Sequence, residues 1–209
     1  MSAAPSLLVL VREYGYERRE EPFTLSAGGT SHDYVDLRRA VASGAHLRIA
    51  AEAIIGAIDK AGVGFDAIGG MTMGADPVAH AVALISGHSW FSVRKAEKAH
   101  GSRRRIEGGE LGPGVRTIVF EDTVSTGRSL LEALDVVTDT GAEITLACTL
   151  LDRGDVAASE LELRGVPYVA LLSYRDLDIA PLGSAPLGSA PLGSAPLGSA
   201  PLNTTPIRD

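Results

Sequence analysis

Apolar positions recur along this chain with two distinct spacings. Leu47, Ala50, Ile54, Ile55 and Ile58 fall on one face of a 3.6-residue repeat, which predicts a helix over residues 47–61, and the same spacing predicts a helix over 7–16. Short apolar runs of strand length at 67–73, 90–93, 117–120, 143–151 and 166–172 predict strands. Helical segments at 77–86, 129–138 and 156–163 alternate with them. Strand and helix in alternation predict an α/β fold, a mostly parallel central sheet flanked by helices on both faces. Ligands of such a sheet gather beyond the carboxyl ends of its strands.

The pattern stops near residue 180. Pro-Leu-Gly-Ser-Ala then repeats four times, from Pro181 to Ala200, before a short polar end. Proline at every fifth position blocks a continuous helix, and one leucine per unit buries too little to offset the entropy of ordering. The reading is a domain over 1–180 and a disordered or extended tail over 181–209, with docking of the tail on the domain as the alternative.

Composition narrows the class. A chain of 209 residues with 45% hydrophobic content can bury one α/β core. The single Cys148 lies inside an apolar run, so a buried thiol is expected, with neither an internal disulfide nor a cysteine metal cluster. No apolar stretch approaches a membrane span and no secretory signal core is apparent, so a cytoplasmic enzyme with no membrane partner is expected. The net charge of −7 argues against general nucleic-acid binding, while anionic substrates would need positive charge gathered locally.

The segment 117–129 is richest in chemistry. Apolar residues 117–120 lead into Glu121 and Asp122, then into Thr123, Val124, Ser125, Thr126, Gly127, Arg128 and Ser129, where a helix is predicted to begin. Unpaired N–H groups at a helix start, with nearby hydroxyls, favour a phosphate, and Gly127 lets the main chain approach it. Two carboxylates beside such a pocket suit ribose hydroxyls and a hydrated Mg²⁺. The plain alternative is a strand-to-helix turn whose acids cap the helix. The nucleoside triphosphate loop pattern is absent. A hydrophobic strand, two acids and a Thr-Gly turn resemble the phosphoribosyl pyrophosphate (PRPP) motif of type I phosphoribosyltransferases.

A second segment supplies the positive charge. Arg94, Lys95, Lys98, Arg103, Arg104 and Arg105, with His100, face a single acid, Glu97. From charge alone this is a solvated basic face or a nucleic-acid patch. The order Arg94-Lys95-x-x-Lys98-x-His100-Gly101, however, resembles the mobile catalytic loop of orotate phosphoribosyltransferases. Three more segments are similar to that family in order and spacing: 23–39 with Tyr34, 69–77 as a pyrophosphate loop whose small residues expose backbone N–H groups, and Leu151-Asp152-Arg153. By themselves they could be a core tyrosine, a plain turn and a surface cation.

The resemblance, over roughly residues 7–175, implies a type I phosphoribosyltransferase fold with a small amino-terminal hood. It implies transfer of the 5-phosphoribosyl group from PRPP to orotate, giving orotidine 5′-monophosphate and pyrophosphate in de novo pyrimidine biosynthesis. Arg94, Lys95, Lys98 and His100 would serve the leaving group, with Lys98 or His100 as proton donor. Glu121 and Asp122 would meet the ribose, and residues 123–129 the 5′-phosphate. Tyr34, Ser125 and Arg153 would hold orotate. Mg²⁺ is the implied cofactor, near Glu121 and Asp122 but with no direct protein ligand assigned. A homodimer sharing the basic loop between subunits is the implied assembly. Departures stand at Ser26, Gly29, Asp33, Met73 and Gly74, where relatives often carry a cation or an aromatic. The alternatives are a phosphoribosyltransferase for a purine or other base, and a PRPP-sensing regulatory protein of the same fold.

Overall fold

The computed structural model describes residues 3–24, 30–96 and 105–182. Helix α1 (Ala3–Leu10) continues through one π-helical turn, Val11–Gly15. Where the spacing predicts helix to residue 16, Tyr16 already opens strand β1 (Tyr16–Thr24), which pairs antiparallel with β2 (Thr30–Val35). This hairpin is the hood. Its first strand, Tyr-Glu-Arg-Arg-Glu-Glu-Pro-Phe-Thr, has no apolar alternation because most of it faces solvent.

A short helix α2 (Leu37–Ala40) leads to α3 (Gly44–Ala61), whose first turn is capped by Ser43 Oγ accepting from His46 N at 3.2 Å. The remaining elements alternate: β3 (Ala67–Met71), α4 (Asp76–Ser86), β4 (Ser89–Val93), β5 (Ile106–Gly108), β6 (Arg116–Val124), α5 (Arg128–Thr138), β7 (Glu143–Asp152), α6 (Val156–Leu163) and β8 (Tyr168–Ser173). The sheet order is β5-β4-β3-β6-β7-β8, parallel throughout except for β5 at one edge. The α/β expectation holds, and β5 and the hairpin are the strands that local pattern did not reveal.

Two cores sandwich the sheet. Ile118 and Phe120 of β6, with Leu146, Cys148 and Leu150 of β7, join the apolar faces of α1, α3 and α4 on one side. Val119 and Ala147, one residue out of phase, join Leu130, Leu134 and Val137 of α5 and Leu161 of α6 on the other. A strand buried on both faces reads as a continuous apolar run, which is why β6 and β7 were legible. Cys148 is wholly buried, and the absence of water pushes its thiol up to about 12, so it is inert.

Two strand boundaries move, and both movements shape the site. Strand β6 does not end before its acids: pairing to β7 continues through Glu121↔Thr149, Thr123↔Leu151 and Val124↔Asp152. The strand expected over 67–73 ends at Met71, and Gly69 and Gly70, which also fall in the 69–77 segment expected to expose backbone N–H groups, lie inside it. Their lack of a side chain serves close packing. A Cβ at Gly69 would fall 1.9 Å from the Phe91 carbonyl oxygen, and one at Gly70 would fall 1.8 Å from that of Phe120.

Leu182, the second residue of the repeat, donates its N–H to the Arg153 carbonyl at 2.5 Å. The rest of the tail, 183–209, lies outside the described residues. For the sheet, Gly70→Ala is expected to cost about 3 kcal/mol or more, because the methyl group meets the rigid Phe120 backbone and, at 3.0 Å, the Ala75 Cβ. Urea unfolding measures it, and an unchanged midpoint would mean that β3 and β6 can separate without penalty.

Candidate active site

The carboxyl ends of β3, β4 and β6 open into a cleft of about 1030 Å³. Tyr34, Asp36 and Arg38 line it from the hood side, and Thr72, Met73 and Gly74 from the turn after β3. Arg94 and Lys95 enter from the end of β4, and Glu121, Asp122, Thr123 and Ser129 from β6 and α5. Residues far apart in sequence thus meet where a doubly wound sheet places its ligands.

Glu121 and Asp122 set the electrostatics of this cleft. Because β6 runs on past them, Glu121 is only 7% exposed, and its Oε2 has no hydrogen-bond partner. Burial raises the Glu121 pKa far above the usual carboxylate range, and neighbouring Asp122 raises it further. Asp122 is raised as well, by burial, against which its Oδ1 accepts the Thr123 N–H at 2.7 Å. Glu121 Oε2 is thus a buried acceptor that no donor of the described residues satisfies. The turn after β3 presses on both acids, since a Cβ at Gly74 would lie 2.8 Å from Asp122 Oδ1 and 3.0 Å from Glu121 Oε1. A side chain there would meet both carboxylates.

The turn from β6 to α5 has the expected form. Gly127 precedes the helix with φ of 78°, a left-handed conformation that favours glycine, and no side chain caps the α5 amino terminus. The Arg128 N–H lies 3.5 Å from Thr126 Oγ1, which leaves the next N–H groups, those of Ser129 and Leu130, as the donors α5 offers an anion. Val124, Ser125, Thr126, Gly127 and Arg128 lie on this turn but do not line the main cleft, whereas Thr123 and Ser129 do. Val124 is buried, and its carbonyl accepts the Arg153 N–H at 2.7 Å, tying the turn to the end of β7.

Both described ends of the basic segment are anchored. Arg94 Nη1 lies 3.4 Å from Glu107 Oε1. Arg105 is a strut: it donates to the carbonyls of Arg94 and Lys95 at 2.8 and 3.2 Å and pairs with Glu132 on α5. It is spent on fixing the end of β4, not offered to a polyanion. Lys98, His100, Arg103 and Arg104 lie outside the described residues, as do Ser26 and Gly29.

At the base end, Tyr34 packs edge-on against Phe23 with centroids 5.4 Å apart, and the Arg19 guanidinium stands 4.2 Å from its ring centroid. Arg153 is 4% exposed. Its Nη1 donates to the Asp33 carbonyl at 2.9 Å, while Nε and Nη2 have no partner. Burial lowers its pKa, opposed by the nearby Asp33 and Tyr16. Arg153 does not line the main cleft; it is held behind the hood.

Two residues escaped sequence reasoning. Asp76 Oδ2 and Oδ1 accept from the Thr72 and Ser92 hydroxyls, both at 2.6 Å, and so clamp the turn after β3 to β4. Its place just before Pro77, at a helix start, was the available signal. Arg38 adds a cation to the cleft from α2, an element too short for periodicity to reveal.

No family model matches the chain. Individual proteins do. The orotate phosphoribosyltransferase of Mycobacterium tuberculosis is 42% identical over 161 residues, spanning 75% of this chain and 87% of that protein. That of Corynebacterium glutamicum is 36% identical over 184 residues, spanning 86% and 96%. The crystal structure of the M. tuberculosis enzyme in complex with PRPP superimposes with a TM-score of 0.70 at 34% identity, covering 85% of this chain and 99% of that one. Identity of this extent, on the same sheet and over nearly the full length of the relatives, reflects common descent, and the chain belongs to the orotate phosphoribosyltransferases, pentosyltransferases of pyrimidine biosynthesis.

Proposed function

We propose the following division of labour among this chain's residues in the transfer of a 5-phosphoribosyl group from PRPP to orotate. The bond from the anomeric carbon to the pyrophosphate oxygen breaks, and a bond from that carbon to the orotate ring nitrogen forms. Positive character grows on the ribose while negative charge grows on the leaving group, so the site must stabilise two opposite charges a few ångströms apart. The ring nitrogen needs little activation, because conjugation with the ring carbonyls already makes it acidic.

Glu121 and Asp122 accept hydrogen bonds from the ribose hydroxyls. The turn from Thr123 to Ser129 binds the 5′-phosphate through N–H and hydroxyl donors, in support of which stand the uncapped start of α5 and the left-handed Gly127. Arg94 and Lys95, with the turn around Met73 and Gly74, receive pyrophosphate. Lys98 and His100 are assigned to the leaving group by their place in the motif, one of them as proton donor, and closure of their segment over the cleft would exclude water.

The acids fit Mg²⁺. Glu121 Oε2 is buried and unpartnered, and Asp122 stands beside it with a raised pKa. No cluster of three or more carboxylate, imidazole or thiol groups occurs among the described residues, so most of the ion's ligands would be substrate and water oxygens. When bound, it neutralises pyrophosphate charge. We further assign a homodimer that shares the basic segment between subunits. Met73, Leu84 and Trp90 are exposed apolar side chains that a second copy would cover. No described helix is long and apolar enough to cross a membrane.

The observation that carries the choice of base is Arg153. A guanidinium that is buried and charged, with two adjacent donors unused, is matched by a carboxylate, and among nucleobase substrates orotate supplies one. Tyr34 stacks on the pyrimidine, with Arg19 on its ring, and Ser125 hydrogen-bonds the pyrimidine.

With PRPP and Mg²⁺, the protein is expected to consume orotate and to leave guanine, hypoxanthine and adenine unchanged, as read by absorbance. Turnover of a purine would move the assignment to another base. Arg153→Lys keeps the charge but loses the fork, and it is expected to raise KM for orotate about 10- to 100-fold while KM for PRPP stays within about twofold. Equal orotate KM values in both proteins would remove Arg153 from the base subsite.

A pH effect follows from Glu121. Its folded pKa lies above its unfolded one, so its contribution to stability is fully present below the unfolded value and is lost as pH rises through the folded value. In the ligand-free protein, Glu121→Gln is expected to raise Tm at about pH 9, with little change at about pH 5. A uniform shift at both pH values would show that the substitution acts by packing alone.

A further inference from the structure

The hood contains one side chain that its exposure pattern does not explain. Along a hairpin that mostly faces solvent, Asp33 is 7% exposed, although an acid gains nothing by leaving water. It also stands where relatives often carry an aromatic ring. Four groups hold it. Oδ1 accepts from the Tyr16 hydroxyl at 2.9 Å and from Arg18 Nη1 at 3.1 Å, the N–H donates to Ser31 Oγ at 3.0 Å, and the carbonyl accepts from Arg153 Nη1 at 2.9 Å.

The last contact matters most. Arg153 reaches the back of the hood from the end of β7, and the Asp33 carbonyl takes only its Nη1. Nε and Nη2 remain free, and these form the side-on edge of a guanidinium, two parallel donors spaced to match a carboxylate. A carboxylate side chain turned towards Arg153 would occupy that edge itself. Tyr16 and Arg18 prevent this by holding Oδ1 of Asp33 on the β1 side. The acid is thus near enough to offset the buried positive charge, without an ion pair within contact distance.

Resting on the assignment of Arg153 to the orotate carboxylate, we infer that Asp33 is the positioning residue of the base subsite: its carbonyl fixes Arg153 through Nη1, and its carboxylate, pinned by Tyr16 and Arg18, balances the guanidinium while leaving the Nε and Nη2 edge to the substrate. Base selectivity then depends on a hood residue that does not touch the base. The phosphoribosyl half of the site, built on β3 and β6, is independent of it.

The experiment is a double-mutant cycle on the full chain, with steady-state kinetics in orotate and in PRPP and Tm as the check on folding. Asp33→Asn is expected to raise KM for orotate about fivefold or more, with KM for PRPP and kcat within about twofold. Tyr16→Phe, which frees one side of the carboxylate, should shift orotate KM in the same direction by less. In the Arg153→Lys background, Asp33→Asn should add less than about twofold, because its effect passes through the arginine. Arg153→Lys with raised orotate KM but Asp33→Asn without effect overturns the inference and leaves the arginine assignment standing. Full additivity of the two, or equal changes in both substrates, also overturns it, by making Asp33 an independent or merely structural residue. An Arg153→Lys protein with unchanged orotate KM removes the arginine assignment and this inference together. Should Asp33→Asn fail to fold, Tyr16→Phe decides: an orotate-only KM shift supports the inference, and no shift overturns it.

Discussion

Charge buried at one end of the sheet is the constraint around which this site is organised. Strands β6 and β7 carry Glu121, Asp122 and Arg153 to positions where water is largely excluded, and the protein leaves each of Glu121 and Arg153 with polar atoms unpaired. In a medium of low dielectric such groups are costly, so the ligand-free fold holds them only because two apolar cores fix the strands beneath. Their missing partners are what the proposed ligands supply: hydroxyl donors or a cation at the acids, and a carboxylate at the arginine. The glycines belong to the same constraint. Gly69 and Gly70 let β3 lie against the backbones of β4 and β6, and Gly74 lets the following turn close on the acids.

What was legible in the sequence was what is contiguous. Strand β6, the two acids and the turn to α5 form one unbroken stretch, so a run of residues could be read as a phosphate cradle. The boundary was misplaced because charge was read as the end of a strand, whereas pairing to β7 carries Glu121 and Asp122 within it. The hood was legible only through resemblance. Glu17, Arg18, Arg19, Glu20 and Glu21 show no alternation, since the hairpin rests on its few inward residues instead of a continuous apolar face. Arg153 could be named from its motif, but its free edge depends on a carbonyl 120 residues away, a relation no local pattern carries. Asp76 was hidden for the same reason, because one of the hydroxyls it clamps belongs to another strand.

The basic segment shows how composition misleads without geometry. A run of arginines and lysines reads as a surface for polyanions, yet Arg105 spends its donors on the chain's own carbonyls and on Glu132, and Arg94 stands beside Glu107. These contacts set where the segment leaves β4. Among the described cations of the segment, Arg105 is therefore structural, while Arg94 and Lys95 line the cleft.

The two ends of the site rest on different kinds of physics. At the phosphate end, the recognition proposed comes from backbone: N–H groups in the first turn of α5, a left-handed glycine, and a turn fitted closely to two acids. Such a device is insensitive to most side-chain changes, because the donors belong to the fold. At the base end, the recognition proposed comes from side chains, the Arg153 guanidinium, the Tyr34 ring and the Ser125 hydroxyl, the first two set by residues of the hairpin. Asp33, Tyr16 and Arg18 can therefore change, and with them the grip on the base, without disturbing the strands that carry the phosphoribosyl chemistry.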